Sequence, residues 1–314
     1  MSKSEGRAAQ TVEVGGRIPG LEGSVAYTLK SECGDSLPIL LSVPHDGQCY
    51  PDALLANMRA PAVSGMRLED RHISLIADRI ADETNLSLLK AHAPRAMIDL
   101  NRSVDDIDWG MVTGVKAAAS HHSRATFRAR NGLGLIPRRI SGVGELWRRP
   151  IAHAEIAQRI EHIHAPYHKA IWTELERLRD VHGIALLFDL HSMPPLKPAR
   201  PGHDAAEFVL GDRFGASCDS GIADLALRYI GGKGRRVAYN RPYSGGFILD
   251  RYGQPRRGIH ALQLEVCRSL YLDARLDQPT ARLPSTARLV AGLVRCLGEQ
   301  VLAMAPGRLA QAAE

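Results

Sequence analysis

Short apolar runs alternate with longer amphipathic stretches along most of the chain. Near-continuous apolar runs of this kind suit strands that are buried on both faces of a sheet. Polar or turn residues follow each run and mark the place where the strand is expected to end. The five runs are residues 38–43, 96–100, 184–190, 208–210 and 259–266.

Three longer stretches carry apolar side chains at helical spacing. In the first of them, Ile73, Ile76 and Ile80 fall on one side of a helix with 3.6 residues per turn. Because predicted strands alternate with predicted helices, we expect an α/β fold whose central sheet is mixed, mostly parallel and flanked by helices. The three stretches are residues 68–86, 151–181 and 286–304.

The domain organisation follows from where the alternation of predicted strands and helices begins and where it is interrupted. Residues 1–20 are polar and rich in glycine, so we expect a flexible lead-in there, followed by a single α/β domain over residues 21–314. Residues 104–150 are rich in Gly, Ser and Arg and show little periodicity. We expect this segment to be a flap-like insertion beside the functional site, because long irregular segments in compact domains often serve binding.

The composition is that of an ordinary globular protein. Of the 314 residues, 45% are hydrophobic and 24% are charged, and no apolar run approaches the ~20 residues of a membrane span. The first twenty residues lack the apolar middle of a secretory signal, so we expect a cytoplasmic protein that does not bind membranes. The five cysteines contain no CxxC pair, which argues against a disulfide framework or a cysteine-rich zinc site.

The chain is basic, with a formal net charge of +6. The excess is mostly arginine, concentrated in residues 124–139 and in two Arg-Arg pairs. Aromatic residues make up only 5% of the chain and do not interleave with a Lys/Arg run, as they do in many nucleic-acid-binding surfaces. We therefore expect a small acidic substrate rather than a nucleic acid. The pattern does not indicate an oligomeric state.

Residues capable of chemistry stand at the ends of four predicted strands. In open α/β sheets, ligands bind beyond the carboxyl ends of the strands. Catalytic zinc commonly takes two or three histidines and a carboxylate, and leaves one position for water. The two strand-end histidines therefore predict a zinc site, although each imidazole could instead bond only a neighbouring loop. The strand-end residues are His45, Asn101, Arg102, His191 and Glu265.

The identity of the carboxylate ligand is open on this reasoning. Glu69 and Asp70 both stand where the helical stretch after the first histidine begins, and an acid there also favours the positive end of a helix. Asp46 is a weaker candidate, because its neighbour in the chain is the first histidine and the two side chains point in different directions. Asp189 shares a strand face with His191 and is expected to orient that imidazole.

Six segments, taken together, resemble the N-formylglutamate amidohydrolase family. They are LSVPHDGQCYP, AMIDLNRS, LFDLHSMPP, FVLGDRFGASC, YNRPYSGGFILDRYG and HALQLEV, and they extend from about residue 38 to residue 270. The family is related in fold to zinc carboxypeptidases, so the resemblance implies a zinc-dependent exopeptidase-like hydrolase fold. The chain departs from the common family pattern at Asp46, where the family usually has Ser, and in its very basic stretch at residues 124–149.

The resemblance implies a role for each residue of the site. His45, Asp70 and His191 would hold zinc, and Glu265 would act as the general base. The implied reaction is hydrolysis of N-formyl-L-glutamate to formate and L-glutamate, a step of histidine catabolism. The runner-up is deacylation of another N-acyl amino acid, or cleavage of a peptidoglycan-type amide, by the same residues. A second alternative is a basic binding protein without catalysis.

Further residues are expected to bind the substrate. Asn101 and Arg102 resemble the pair that grips the substrate carboxylate, since a guanidinium can donate two parallel hydrogen bonds to it. We also expect one arginine of the basic stretch to help stabilise the oxyanion, and a turn of small residues to line the acyl-amino-acid pocket. These residues are Arg138, and Tyr243, Gly245 and Gly246.

Overall fold

An eight-stranded sheet forms the centre of the protein in the computed structural model, which describes residues 10–32, 36–114, 127–198, 202 and 204–305. Two further pairs of very short strands lie outside this sheet. The strands are β1 (Gln10–Gly15), β2 (Tyr27–Glu32), β3 (Ile39–Val43), β4 (Ser87–Ala91), β5 (Val112–Thr113), β6 (Arg139–Ile140), β7 (Gly144–Glu145), β8 (Ile151–Ala152), β9 (Ala185–Met193), β10 (Phe208–Gly211), β11 (Val237–Tyr239) and β12 (Ile259–Cys267).

The order of strands in the main sheet is β1-β2-β4-β3-β9-β12-β10-β11. Its middle four strands, β4, β3, β9 and β12, are all parallel, and β10 pairs with β11 in parallel as well. The remaining pairs, β1 with β2, β2 with β4 and β10 with β12, are antiparallel. The predicted mixed, mostly parallel sheet is confirmed, and the carboxyl ends of β3, β9 and β12 share one edge.

Helices cover both faces of this sheet. A π-helical turn, Ile160–His164, joins the two helices on either side of it into one long element. None of the helices in the described ranges has the length and hydropathy of a membrane span. The helices are α1 (Asp52–Asn57), α2 (Pro61–Leu68), α3 (Ile73–Thr84), α4 (Phe127–Arg130), α5 (His153–Arg159), α6 (Ala165–His182), α7 (Ser220–Gly232), α8 (Phe247–Tyr252) and α9 (Leu283–Ala303).

The core has two halves, one on each face of the sheet. Successive residues of a strand point to opposite faces, so Leu40 belongs to one half and Leu41 to the other, and both are fully buried. Ile171 and Leu175 of α6 pack into the first half, while α9 contributes Val290 to the second. Burial on both faces explains why the central strands are continuous apolar runs in the sequence.

The apolar run at residues 96–100 is not a strand, contrary to our prediction. It forms buried turns, in which the amide of Met97 donates to the carbonyl of Pro94 and the amide of Asp99 donates to the carbonyl of Leu135. The neighbours of β3 in the sheet are β4 and β9. The prediction failed because hydrophobic periodicity does not distinguish a buried turn from a short buried strand.

The lead-in expected at residues 1–20 needs correction in its second half. Residues 10–15 form β1, an edge strand that pairs with β2, whereas residues 1–9 lie outside the described part of the chain. An edge strand has a neighbour on one side only, and Val12 and Val14 are 59% and 57% exposed. Little of β1 is therefore buried, which is why it carries no apolar signal.

The segment at residues 104–150 packs onto the α6 side of the core through Ile107, Leu135 and Trp147. In its described part, the regular structure comprises a 3-10 turn at Trp109–Met111, α4, the β6–β7 pair and β5, which pairs with β8. Residues 115–126 lie outside the described part of the chain. The flap role of this segment stays a prediction.

Candidate metal centre

Two imidazoles meet at the carboxyl edge of the parallel strands. His45 follows the end of β3, and His191 lies near the end of the neighbouring strand β9. Their ring centroids are 4.8 Å apart, and both residues are buried. The structure therefore brings together the two histidines that the sequence singled out.

Asp70 completes a group of three side chains that can bind a metal ion. It lies between α2 and α3, and its amide donates to the carbonyl of His45 over 2.9 Å. Its Oδ2 atom lies 3.0 Å from Nδ1 of His191 and 3.6 Å from Nδ1 of His45. All three ligand atoms lie within 4.8 Å of one another.

Glu69, the other acid that the sequence left open, points away from the two histidines. Its Oε1 atom accepts a hydrogen bond from the hydroxyl of Tyr50 over 2.6 Å, and its Oε2 atom lies 3.6 Å from Nε of Arg71. The geometry thus favours Asp70 as the carboxylate of this cluster.

The side chain of Asp46 binds the backbone at the start of α3. Its carboxylate accepts hydrogen bonds from the amides of His72 over 2.8 Å and Ser74 over 2.9 Å. Burial raises the pKa of Asp46 to about 6, against the effect of these hydrogen bonds. Asp and Ser are both favoured capping residues, so the departure from the common family motif is compatible with a cap at this helix.

Each histidine of the cluster turns its second nitrogen to a buried carboxylate. Nε2 of His45 lies 2.8 Å from Oδ1 of Asp99, and Nε2 of His191 lies 2.7 Å from Oδ2 of Asp189. Each carboxylate accepts the Nε2 proton, so Nδ1 is the ring nitrogen left on the Asp70 side, where it could bind a metal ion. The contact expected between Asp189 and His191 is present. Asp99 was missed because it lies in the run that we predicted to be a strand.

The cluster fits a divalent cation such as zinc. Nδ1 of His45 is buried and has no hydrogen-bond partner among the described residues, which is unfavourable unless a ligand occupies it. Burial alone would raise the pKa of Asp70, but the hydrogen bond from His191 and the proximity of both imidazoles hold it well below its usual range. Two nitrogens and one ionised carboxylate are a common donor set for catalytic zinc.

Glu265 lies beside this cluster. It is paired with His191 across the parallel strands β12 and β9, and its Oε1 atom accepts a hydrogen bond from Gln263 over 3.0 Å. Burial raises the pKa of Glu265 to about 7, since the charge of His191 only partly offsets the effects of burial and of Asp70. A carboxylate with a pKa near neutrality is suited to general-base catalysis.

Comparison with known proteins identifies the family. Residues 37–272 match the family model described as N-formylglutamate amidohydrolase. The chain belongs to the N-formylglutamate amidohydrolase family. The resemblance seen in the sequence is thereby confirmed, and the chain is an amide-bond hydrolase.

Individual relatives agree with this assignment over most of the chain. A Pseudomonas aeruginosa protein named N-formylglutamate deformylase is 32% identical over 277 residues, which cover 87% of this chain and 96% of the relative. A Pseudomonas putida protein of the same name is 34% identical over 240 residues, covering 76% and 82%. The crystal structure of N-formylglutamate amidohydrolase from Ralstonia eutropha JMP134 superposes with a TM-score of 0.79 at 29% identity, covering 88% of this chain and 98% of that one.

In this amidohydrolase the predicted substrate pair is bonded to nearby backbone. Oδ1 of Asn101 accepts a hydrogen bond from the amide of Ile248 over 2.9 Å, at the start of α8. The guanidinium of Arg102 donates to the carbonyls of Leu133 over 2.8 Å and Asn101 over 2.7 Å, and the residue is buried. These bonds fix the position of both side chains. The substrate-gripping role of the pair stays a prediction.

The predicted pocket residues lie in the loop that precedes α8. Tyr243 is half-buried, and burial together with the charge of Glu265 raises its pKa. Gly245 has a φ of +97°, a conformation that favours glycine. A Cβ atom on Gly246 would come within 2.5 Å of Oδ1 of Asn101, so this position requires a glycine. That these residues line the substrate pocket stays a prediction.

Arg138 is held within the insertion. Its Nη1 atom donates to Asp108 over 2.9 Å, and its Nε atom donates to Glu145 over 3.1 Å. The side chain is 32% exposed. Both carboxylate partners of its guanidinium lie in the same segment. Its part in stabilising the oxyanion stays a prediction.

Arg95 is a site residue that sequence reasoning missed. Its Nε and Nη2 atoms both lie 2.9 Å from Oδ2 of Asp99, the carboxylate that holds His45. Burial would lower the pKa of Arg95, but the charges of Asp99, Asp70 and Glu265 raise it. The signal was available in the sequence, because Arg95 stands four residues before an acid in the DLNR segment.

Proposed function

We propose that the protein hydrolyses N-formyl-L-glutamate to formate and L-glutamate with a zinc ion held by His45, Asp70 and His191. The observation that carries this proposal is the convergence of these three ligands and Glu265 at one sheet edge, in a chain of this family. The relatives named N-formylglutamate deformylase support the choice of substrate.

The metal and the general base divide the chemistry between them. Zinc held by His45, Asp70 and His191 would supply a Lewis acid, which would polarise the formyl carbonyl and lower the pKa of the reacting water to about 7. Glu265 accepts a proton from the attacking water and then passes it to the departing nitrogen of glutamate. Attack of the water oxygen forms the new C–O bond, and the C–N bond breaks when the tetrahedral oxyanion collapses to formate. The nitrogen leaves with the proton that Glu265 took from the water, so the reaction balances.

Arginine side chains are candidates for binding the substrate carboxylate and for stabilising the negative charge that develops on the carbonyl oxygen. Arg102 would bind a carboxylate of the substrate through two hydrogen bonds, after rearrangement of its present bonds to backbone carbonyls. Arg95 carries its charge near both Asp70 and Glu265, so it is a second candidate, beside Arg138, for stabilising the developing oxyanion.

The experiment is a substrate panel on metal-free protein and on protein reloaded with zinc. N-formyl-L-glutamate, N-acetyl-L-glutamate, N-formyl-L-aspartate and a peptidoglycan-type amide would be compared by release of the free amine. We expect N-formyl-L-glutamate to give the highest kcat/KM, and only with zinc. Preference for the N-acetyl or peptidoglycan substrate would contradict the proposed specificity, and an inert zinc-loaded protein would contradict the proposed catalysis.

A further inference from the structure

Arg268 is a buried arginine at the end of the strand that carries Glu265. It follows β12 directly and is only 5% exposed. Its Nε atom donates to Oγ of Ser192 over 3.0 Å, and Ser192 is the neighbour of His191 in β9. One side of the guanidinium is therefore fixed to the strand that supplies a metal ligand.

The other side of the same guanidinium holds the loop of Asp70. Nη1 donates to the carbonyl of Met66 over 3.0 Å, and Nη2 donates to the carbonyl of Glu69. Nη2 also lies 3.4 Å from Oδ1 of Asp70. Oδ1 of Asp70 thus faces Arg268, while its Oδ2 atom faces the two imidazoles.

We infer that Arg268 is a positioning residue that fixes the rotation of the Asp70 carboxylate and thereby sets the affinity of the metal site. Without the guanidinium, Oδ1 of Asp70 loses its cationic partner, and the loop between α2 and α3 loses its tie to β9. The planar fork of arginine reaches a hydroxyl, two carbonyls and a carboxylate at once, which the single ammonium of lysine cannot do. The inference rests on the proposed metal site.

Arg159 offers a matched control for this inference. It is 1% exposed, bonds the carbonyl of Met97 over 2.8 Å, forms an ion pair with Glu155 and lies over the ring of Trp147. Arg268→Lys and Arg159→Lys therefore change two similarly buried arginines, of which one contacts Asp70. Both substitutions are expected to lower the thermal stability of the metal-free protein.

The experiment measures zinc affinity by competition with a chromophoric chelator, together with the visible spectrum of the cobalt(II)-substituted protein. We expect Arg268→Lys to weaken zinc binding by ~10–100-fold, the range typical of residues that orient metal ligands, and to change the cobalt bands. Arg159→Lys should leave both unchanged. Because lysine keeps the positive charge and much of the side-chain volume, we expect both variants to fold.

Two results would overturn the inference, and they are distinguishable. If the wild type does not bind zinc, the proposed metal site fails, and the role of Arg268 fails with it. If the wild type binds zinc but Arg268→Lys binds it equally tightly with the same cobalt spectrum, Arg268 serves only the stability of the fold. In that case the proposed function still stands.

Discussion

Glu265 and His191 stand side by side at the same level of two parallel strands, β12 and β9. Both strands are nine residues long and buried throughout, so the backbone beneath the two side chains is firmly held. Sites built on strands are positioned more accurately than sites built on loops. This pairing fixes the proposed general base relative to one proposed metal ligand without help from a flexible segment.

Replacing Glu265 with Gln should abolish most turnover and keep the metal. The amide has nearly the same shape as the carboxylate but cannot accept a proton from water, so we expect kcat to fall by ~10²–10⁴-fold. Glu69→Gln is the matched control, because Glu69 is a buried acid that faces away from the cluster and should retain activity. Glu265→Gln activity close to that of the wild type would place the base elsewhere.

Removing any of the three proposed ligands should remove the zinc. The proposed site has three protein ligands, so the loss of one is expected to weaken binding by orders of magnitude. We expect elemental analysis to find little zinc in His45→Ala, Asp70→Ala or His191→Ala, and full zinc in Glu69→Ala. Zinc that survives in Asp70→Ala but disappears in Glu69→Ala would show that the neighbouring acid is the ligand.

The sequence predicted the two histidines, the proposed base and the contact of Asp189 with His191, but not the remaining partners of the site. His45, His191 and Glu265 stand at or near the ends of apolar runs, and those runs are parallel strands whose carboxyl ends share one edge. The family resemblance implied Asp70, but reasoning from the residues alone could not choose it over Glu69, since the choice depends on which way the loop before α3 turns. Asp99 was hidden because its apolar neighbours form a buried turn rather than a strand.

The carboxylates behind the histidines should tune metal affinity. Asn in place of Asp99 or Asp189 removes the charge that holds each Nε2–H, so we expect a ~10–100-fold loss of zinc affinity from either change. Asp46→Asn is the control, because that carboxylate bonds the start of α3 and should affect stability instead. Unchanged zinc affinity in both Asp99→Asn and Asp189→Asn would show that these contacts do not support the metal.

Arg102 should distinguish substrates with a free α-carboxylate from those without one. Lysine keeps the charge but loses the paired hydrogen bonds, so kcat/KM for N-formyl-L-glutamate should fall by ~10²-fold or more in Arg102→Lys. The corresponding α-amide should be a poor substrate that is barely affected by the change. Equal losses on both substrates would show that Arg102 has a structural role, through its contacts with the backbone of Leu133 and Asn101, and does not bind the substrate carboxylate.

The pH dependence should report the ionisation of Glu265. The base must be deprotonated to act, and burial raises its pKa from 4.5 to about 7, so kcat/KM should fall as the pH drops through the folded-state value. A bound cation favours the carboxylate form of Glu265 and therefore shifts the acid limb of the pH profile to lower pH. We therefore expect the acid limb between about 4.5 and about 7 in the zinc enzyme. A profile that is flat across this window would argue against Glu265 as the base.

The most direct test of the account measures zinc content and formate release on the same samples. The wild type would be assayed with N-formyl-L-glutamate as isolated, after chelation, and after stepwise return of zinc. We predict that formate release disappears with the metal and returns in proportion to zinc, reaching its maximum at about one ion per chain. Full formate release by the metal-free protein, or none at full zinc occupancy, would contradict the central claim.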